Sequence, residues 1–198
     1  MRRSQKLSDQ PTVFSKCIGV DLKMSNIWFR LMALEFKIRD HRHPRSEIIR
    51  EVGLKAGFKV LDYGCGPGGY VPAASNAIGP SGKLYALDAL PIAIDMVKKI
   101  IAKKGLANVE TILSDCASGL LDGDLDAVLL YDVFHDLEDQ NAVLAEIYRV
   151  LKQGGLLSFS DHHLKEGGII AKITDSGLFR LDKKNKFTYS FIKQTNTA

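Results

Sequence analysis

The sequence has no apolar run long enough to cross a membrane. Its 198 residues are 45% hydrophobic, but no uninterrupted apolar stretch approaches the roughly 20 residues that a membrane-spanning helix needs. The basic start, Met1 to Lys6, is not followed by the apolar segment and small-residue cleavage site of a secretory signal. The length and the ordinary composition predict a single domain with a sizeable core.

Cysteine is also scarce. Cys17, Cys65 and Cys116 lie far apart, are odd in number and form no C-x-x-C pair, which argues against a disulfide framework or a zinc site. This usage favours the reducing cytoplasm as the location of the protein. Cys65 and Cys116 are interpreted as small side chains that suit close packing, and not as catalytic thiols.

Charge is unevenly distributed along the chain. Residues 1–55 carry 12 Lys and Arg against 6 Asp and Glu, whereas residues 56–198 carry 15 against 17. The basic segment could meet an anionic substrate, a membrane surface or RNA, or form the solvated face of a helix. No basic strand rich in aromatic residues is present, which argues against nucleic acid as a partner.

The most informative segment is a glycine-rich loop that follows a short apolar run ending at Asp62. Gly64, Gly66 and Gly69 fit the pattern G-x-G-x-x-G, and Asp88 lies at the distance of a ribose-binding acid. Glycine lets the main chain approach a ligand closely. The pattern therefore predicts a nucleotide-like ligand, a dinucleotide included, while a tight turn without a ligand is the alternative.

Beyond residue 55 the sequence alternates between strand and helix patterns. Strands are predicted at 59–62, 84–87, 109–113, 127–131 and 156–160, and helices at 45–52, 70–78, 91–104 and 141–151. This alternation predicts right-handed βαβ units and a mostly parallel sheet. Two further strand candidates, 179–181 and 187–192, are separated by polar residues and predict a terminal hairpin.

With these motifs in this order, the chain resembles the class I S-adenosylmethionine-dependent methyltransferases over residues 45–193. The glycine loop matches the family pattern of two apolar residues, an acid and G-x-G-x-G, here Gly64, Gly66 and Gly68. The other matching segments are 85–88, 114–117, 126–137 and 146–155, in which Gln153 replaces a usual proline. Within the superfamily, the resemblance is to the broad branch that includes ubiquinone and menaquinone biosynthesis methyltransferases.

The resemblance implies a Rossmann-like, doubly wound α/β fold with a mostly parallel, seven-stranded sheet that ends in an antiparallel hairpin. It implies methyl transfer from S-adenosyl-L-methionine to a small-molecule acceptor. Residues 1–44 are expected to form a helical cap, and residues 45–198 the methyltransferase domain. The sequence does not indicate an oligomeric state.

The resemblance also implies a set of cofactor-binding residues. Asp62 and the loop amides would hold the methionine part, Asp88 the two ribose hydroxyls, and Asp115 with the amide of Cys116 the adenine. A helix cap is the alternative role for Asp88 and Asp115. The full implied set is Asp62, Gly64, Cys65, Gly66, Gly68, Asp88, Ala89, Asp115, Cys116 and Asp132.

Catalytic candidates follow the fourth and fifth predicted strands. Asp132 and His135 follow one, and Asp161 and His162 follow the other, so we expect them to meet beyond the carboxyl ends of the strands. One hypothesis makes His135 or His162 a general base. A second, by similarity to catechol-type methyltransferases, places a metal on Asp132, Asp161 and His162. That family has Asp and Asn at the second position, where this chain has Asp161 and His162, which argues against magnesium and leaves softer ions open. Local hydrogen bonding is the third interpretation, and no metal is our principal expectation.

The wide apolar face at residues 21–43 is expected to roof the acceptor pocket, and contact with a membrane surface is its alternative role. The segment between the fifth strand and the hairpin is expected to be too short for a lid. Aromatic residues in the cap suggest an apolar or planar acceptor, and arginines, Arg45 among them, suggest an anionic group on it.

Two other functions stay open. An NAD-dependent oxidoreductase is disfavoured by the terminal hairpin and by Asp62 directly before the loop. A non-catalytic module of the same fold could bind the cofactor or a partner.

Overall fold

Residues 45–195 are the part of the chain that the computed structural model describes. The strands are β1 (Lys59–Tyr63), β2 (Lys83–Asp88), β3 (Val109–Leu113), β4 (Leu125–Tyr131), β5 (Leu151–Ser160), β6 (Phe179–Lys184) and β7 (Tyr189–Lys193). The helices are α1 (Arg45–Val52), α2 (Val71–Ile78), α3 (Pro91–Lys104), α4 (Gln140–Val150) and α5 (Glu166–Thr174), with a 3-10 turn at Phe134–Asp136.

The seven strands form one sheet in the order β3-β2-β1-β4-β5-β7-β6. The first five strands are parallel, whereas β7 is antiparallel to both β5 and β6. The strand order reverses between β1 and β4, and ligands of such sheets bind at this point, outside the carboxyl ends of the strands. The predicted fold class is therefore confirmed.

Each face of the sheet has its own apolar core. Successive side chains of a strand point to opposite faces, so that Val128 and Leu130 of β4 pack with α4 and α5, while Ala127 and Leu129 pack with α1, α2 and α3. The central strands are buried on both sides, as their continuous apolar sequences predict. The two cores fix the strand ends on which the loops of the site are built.

The predicted elements are present with small changes of boundary, apart from the region around Gly154 and Gly155. The fifth strand was predicted to begin at residue 156, after these glycines, but β5 begins at Leu151 and the glycines lie inside it. The pairing of β5 with β4 shifts register between Leu125 and Ala127. The two glycines therefore mark an irregularity within a strand.

The sequence does not predict α5, which buries Ile169 and Ile173. This helix and the loop before it contribute Ile169 and Leu164 to the wall of a cavity described below, and the expectation that the segment is too short for a lid stays a prediction. The predicted cap at 1–44 lies outside the described residues, and the division into domains stays a prediction. No helix within residues 45–195 has the length and apolar character needed to span a bilayer.

Candidate cofactor and acceptor site

Three glycines in the loop after β1 adopt left-handed backbone conformations, with φ of 76° at Gly64, 51° at Gly66 and 80° at Gly68. A Cβ atom at Gly64 would lie 2.8 Å from the side chain of Val133, and Gly68 is similarly enclosed by the side chains of α3. At Gly66 no described atom lies within 4 Å of the Cβ position. Gly64 and Gly68 therefore allow close packing, whereas Gly66 borders open space that a ligand could enter.

Asp62 is the second-last residue of β1, the strand that leads into this loop, and is almost completely buried, with 2% of its surface exposed. Its Oδ2 atom has no hydrogen-bond partner among the described residues. Burial raises the pKa of this carboxyl to about 7, while the positive charge of Arg45 acts in the opposite direction. A buried acceptor without a donor is unfavourable, and a cationic ligand group such as an ammonium would satisfy it.

Asp88, at the end of β2, is also buried, but both of its oxygens have donors. Oδ2 accepts from the backbone N–H of Gly66 at 2.8 Å, and Oδ1 accepts from that of Leu90 at 2.9 Å. Burial raises its pKa, and these hydrogen bonds oppose the rise. Asp88 thus joins the glycine loop to the β2–α3 turn, and its remaining lone pairs could still accept from ribose hydroxyls.

Asp115 and Cys116 follow β3 and are half-buried. The carbonyl of Cys116 accepts a hydrogen bond from the Tyr63 hydroxyl at 2.8 Å. Cys116 is also disulfide-bonded, whereas Cys65 is free and buried. The spacing of the cysteines does not reveal this bond. Burial raises the pKa of the Cys65 thiol, which agrees with a packing role.

Two aspartate–histidine pairs lie beyond the ends of β4 and β5. His135 Nδ1 is 2.9 Å from Asp161 Oδ2, and His162 Nδ1 is 2.8 Å from Asp132 Oδ1. Each carboxylate also accepts the backbone N–H of the histidine that it contacts, at 3.0 Å and 3.2 Å respectively. The four predicted catalytic residues therefore meet, with each imidazole oriented by an acid from the neighbouring strand.

Asp132 has a φ of 53°, which is unusual for a residue other than glycine. Such a conformation costs on the order of 1–3 kcal/mol and is found most often at functional sites. The Asp132 N–H donates to the carbonyl of Ser160 at 2.9 Å, and its carboxylate accepts from His162. These contacts hold the backbone in place and aim the Asp132 side chain at the end of β5.

A cavity of about 290 Å³ lies beside these pairs. Its wall contains Arg45, Ile48, Tyr70, Asp132, Ser160, Asp161, His162, Leu164, Ile169, Phe187 and Tyr189. The wall includes His162 but not His135, although both belong to the described part of the chain. His162 is thus the candidate base that a molecule in the cavity would meet.

The apolar wall of the cavity was not identified from the sequence. Phe187 and Tyr189 belong to the hairpin, and Tyr189 pairs with Phe159 near the carboxyl end of β5 because β7 runs antiparallel to it. The hairpin pattern was visible, but its position beside β5 was not. Leu164 and Ile169 were not identified as wall residues because α5 was not predicted.

Asp132, Asp161 and His162 also satisfy a simple test for a metal site, since one potential ligand atom from each lies within 4.8 Å of the others. Carboxylate and imidazole ligands together suit Mn²⁺, Zn²⁺ or Fe²⁺ better than Mg²⁺. The same oxygens already accept hydrogen bonds from histidine, so the geometry serves the base hypothesis as well.

Comparison with known proteins places this geometry in a family. A family model described as a methyltransferase domain matches residues 54–194. The chain belongs to this family. The predicted resemblance to class I S-adenosylmethionine-dependent methyltransferases is thereby confirmed, and S-adenosylmethionine as the predicted cofactor with it.

Individual relatives agree with the family but share only part of their length with the chain. A demethylmenaquinone methyltransferase of Geobacillus stearothermophilus is 30% identical over 119 residues, which are 60% of this chain and 51% of that protein. One from Lactococcus lactis is 30% identical over 59% of this chain and 47% of that protein. The chain spans about half the length of the curated relatives it matches.

Solved structures extend the likeness to the fold. An S-adenosylmethionine-dependent methyltransferase from Aquifex aeolicus is 25% identical, with a TM-score of 0.66 over 76% of this chain and 88% of that protein. The [4+2]-cyclase SpnF has a TM-score of 0.60 at 17% identity, over 70% of this chain and 61% of that protein. Because a cyclase shares the fold, the fold alone does not decide the reaction.

Proposed function

We propose that this chain transfers the methyl group of S-adenosylmethionine to a small, planar acceptor that carries an anionic group. The observation that carries the proposal is the cavity beside the aspartate–histidine pairs, where His162 and its partner Asp132 lie opposite apolar side chains. Nothing in the described residues or in the relatives favours an NAD-dependent oxidoreductase. The aspartate–histidine pairs beside the cavity also disfavour a non-catalytic module that only binds the cofactor or a partner.

The described residues fit the cofactor. Asp62 would accept from the methionine ammonium, Gly66 leaves space beside the loop, and Asp88 would accept from the ribose. Asp115 and the amide of Cys116 would hold the adenine, with Ala89 beside it. When bound, the sulfonium supplies an activated methyl group, so that the protein mainly has to align the acceptor and exclude water.

His162 would act as the general base. Asp132 accepts from His162 Nδ1 and would fix the tautomer whose Nε2 atom is free to take a proton, as a carboxylate does for a catalytic histidine in general. Deprotonation of an acceptor hydroxyl would make its oxygen a better nucleophile. Asp161 and His135 would support this arrangement, because Asp161 also lines the cavity and its buried carboxylate orients His135.

The cavity would accept one or two fused rings. Its volume of about 290 Å³ is at the lower end of small-molecule pockets, which begin at about 300 Å³. Ile48, Phe187 and Tyr189 offer apolar contact, and the Arg45 guanidinium offers a partner for an anionic group. The curated relatives are named for a quinone substrate, and a quinol ring is an acceptor of the same planar class.

Methyl transfer from labelled S-adenosylmethionine tests the proposal. We expect transfer to a hydroxylated aromatic acid or a naphthoquinol, and at least a hundredfold loss of rate in His162→Ala. If wild-type protein binds S-adenosylmethionine but methylates neither class of ring compound, the acceptor class is wrong. Micromolar binding of NAD without binding of the sulfonium would contradict the whole proposal.

A metal at Asp132, Asp161 and His162 is the second candidate arrangement, favoured by the 4.8 Å clustering of their ligand atoms. If it is correct, EDTA abolishes transfer and Mn²⁺ or Zn²⁺ restores it. Activity that is unchanged by the chelator leaves His162 as the base.

A further inference from the structure

We propose that Tyr63 positions the loop that recognises the adenine ring, although it does not touch the cofactor itself. The inference rests on the proposed function, since it concerns the same cofactor. Tyr63 lies in β1 between Asp62 and Gly64 and is completely buried. Its hydroxyl donates to the carbonyl of Cys116 at 2.8 Å, across 53 positions of sequence. The strand that leads into the glycine loop thus also holds the loop after β3.

The segment 114–120, which we call the adenine loop, is fixed at both ends. At its start the Ser114 N–H donates to the Asp88 carbonyl at 3.0 Å. Towards its end, Ser118 donates through its N–H and its hydroxyl to Glu146 Oε1 at 2.8 Å and 2.6 Å. Between these two anchors the hydroxyl of Tyr63 ties the middle of the loop to the sheet.

The middle of the loop is where adenine would be recognised. The Asp115 carboxylate would accept from the purine amino group, while the Cys116 N–H would donate to a ring nitrogen. Tyr63 holds the carbonyl of Cys116 itself, and Asp115 directly precedes that residue, so the spacing of the two recognition groups depends on this hydrogen bond. Burial raises the pKa of Tyr63, which keeps the hydroxyl protonated and donating throughout the working pH range.

A hydrogen bond between buried groups could also serve stability alone, and Tyr131 provides a matched control. Tyr131 is buried in the adjacent strand β4, and its hydroxyl is 2.7 Å from Ser158 Oγ. Tyr131→Phe removes the same group from the same sheet but leaves the adenine loop untouched. A purely structural role predicts equivalent behaviour of the two variants towards ligands.

The test compares affinity for S-adenosylhomocysteine with affinity for S-inosylhomocysteine, in which an oxo group replaces the purine amino group. Calorimetry is carried out on wild-type protein, Tyr63→Phe and Tyr131→Phe, with thermal melting of each. A site built for hydrogen bonding discriminates strongly against an analogue that lacks the donor. We expect the ratio of the two affinities to be the same in wild type and in Tyr131→Phe. In Tyr63→Phe this ratio should be about three- to tenfold smaller.

An unchanged adenine preference in Tyr63→Phe overturns the inference, even if the variant melts at a lower temperature. An equal loss of preference in Tyr131→Phe overturns it as well, because the effect is then general. Wild-type protein that binds neither nucleoside would instead overturn the proposed function, so the two failures are distinguishable.

Discussion

The two halves of the site differ in how one carboxylate of the cofactor half, that of Asp62, is satisfied. In the cofactor half, formed by the loops after β1, β2 and β3, Asp62 is buried and its Oδ2 atom has no partner within residues 45–195. In the acceptor half, beyond β4 and β5, Asp132 and Asp161 are each paired with a histidine. The cofactor half is therefore completed by its ligand, whereas the acceptor half is organised before any ligand arrives.

The largest expected effect breaks the acceptor half alone. In His162→Gln we expect the methyl-transfer kcat to fall by about 100- to 10,000-fold, because a positioned base contributes that much. The dissociation constant for S-adenosylhomocysteine, measured by calorimetry, should stay within about twofold of wild type because His162 lies outside the implied cofactor set.

His135→Gln is the matched control for that variant. It changes the other aspartate–histidine pair, whose imidazole does not line the cavity within the described residues. A smaller loss of kcat than in His162→Gln is expected. A larger loss would identify His135 as the base and contradict our assignment.

The next effect breaks the cofactor half alone. Asp62→Asn should weaken S-adenosylhomocysteine binding by about 10- to 100-fold, because a charged hydrogen bond to the ammonium is lost. The affinity of 5′-methylthioadenosine, which lacks the amino-acid part, should not change. Equal weakening for both ligands would contradict the placement of the ammonium at Asp62.

The same substitution should stabilise the protein without its ligand. The pKa of Asp62 is raised from 3.8 to about 7 in the folded state, so between these values the folded protein binds more protons than the unfolded chain. The free energy of unfolding therefore falls as the pH rises through this window. Urea denaturation should give Asp62→Asn a gain of at most about 4 kcal/mol at pH 8, and almost none at pH 4.

This contrast also explains what the sequence could predict. The positions of Asp62 and Gly66 were predictable because the first lies at the end of a predicted strand and the second in the glycine loop after it, where left-handed backbone favours glycine. The acid and histidine pairs were foreseen as neighbours from the same strand-end rule. Which histidine pairs with which acid was not, because that depends on side-chain directions in two loops.

The apolar wall of the acceptor half was not predictable, for two physical reasons. α5 begins Glu166-Gly167-Gly168, and glycine is a poor helix former, so only Ile169 and Ile173 carried an amphipathic signal. Phe187 and Tyr189 reach the cavity because β7 lies antiparallel beside β5, which the local pattern does not reveal. The residues of the cavity wall are therefore determined by tertiary strand pairing, whereas the conformation of the glycine loop is determined by the local sequence.

A smaller effect separates two glycines of the same loop. Gly66→Ala and Gly64→Ala both place a side chain at a positive φ, at a cost of about 1–2 kcal/mol. Only Gly64→Ala also drives a Cβ into Val133, at 2.8 Å. We expect Gly64→Ala to lower the melting temperature more.

Gly66→Ala should instead weaken S-adenosylhomocysteine binding by about tenfold while melting closer to wild type, because its Cβ enters the open side of the loop. Melting curves and calorimetry on the two variants check this. If Gly66→Ala binds as tightly as wild type, the ligand does not pass this side of the loop.

The smallest expected effect concerns the contact between α1 and the hairpin, which both contribute to the wall of the acceptor cavity. Glu51 of α1 accepts the Phe187 N–H at 3.0 Å and lies 3.4 Å from the Thr188 hydroxyl, which joins the hairpin to the helix that carries Ile48. Glu51→Ala should cost about 1 kcal/mol of unfolding free energy and raise the KM for the acceptor about three- to tenfold. Glu47→Ala, an exposed position on the same helix, is the control. α1 and the hairpin flank the cavity and contain none of the implied cofactor-binding residues, so the affinity for S-adenosylhomocysteine should be unchanged. A lower affinity for S-adenosylhomocysteine in Glu51→Ala would mean that the two halves of the site are coupled.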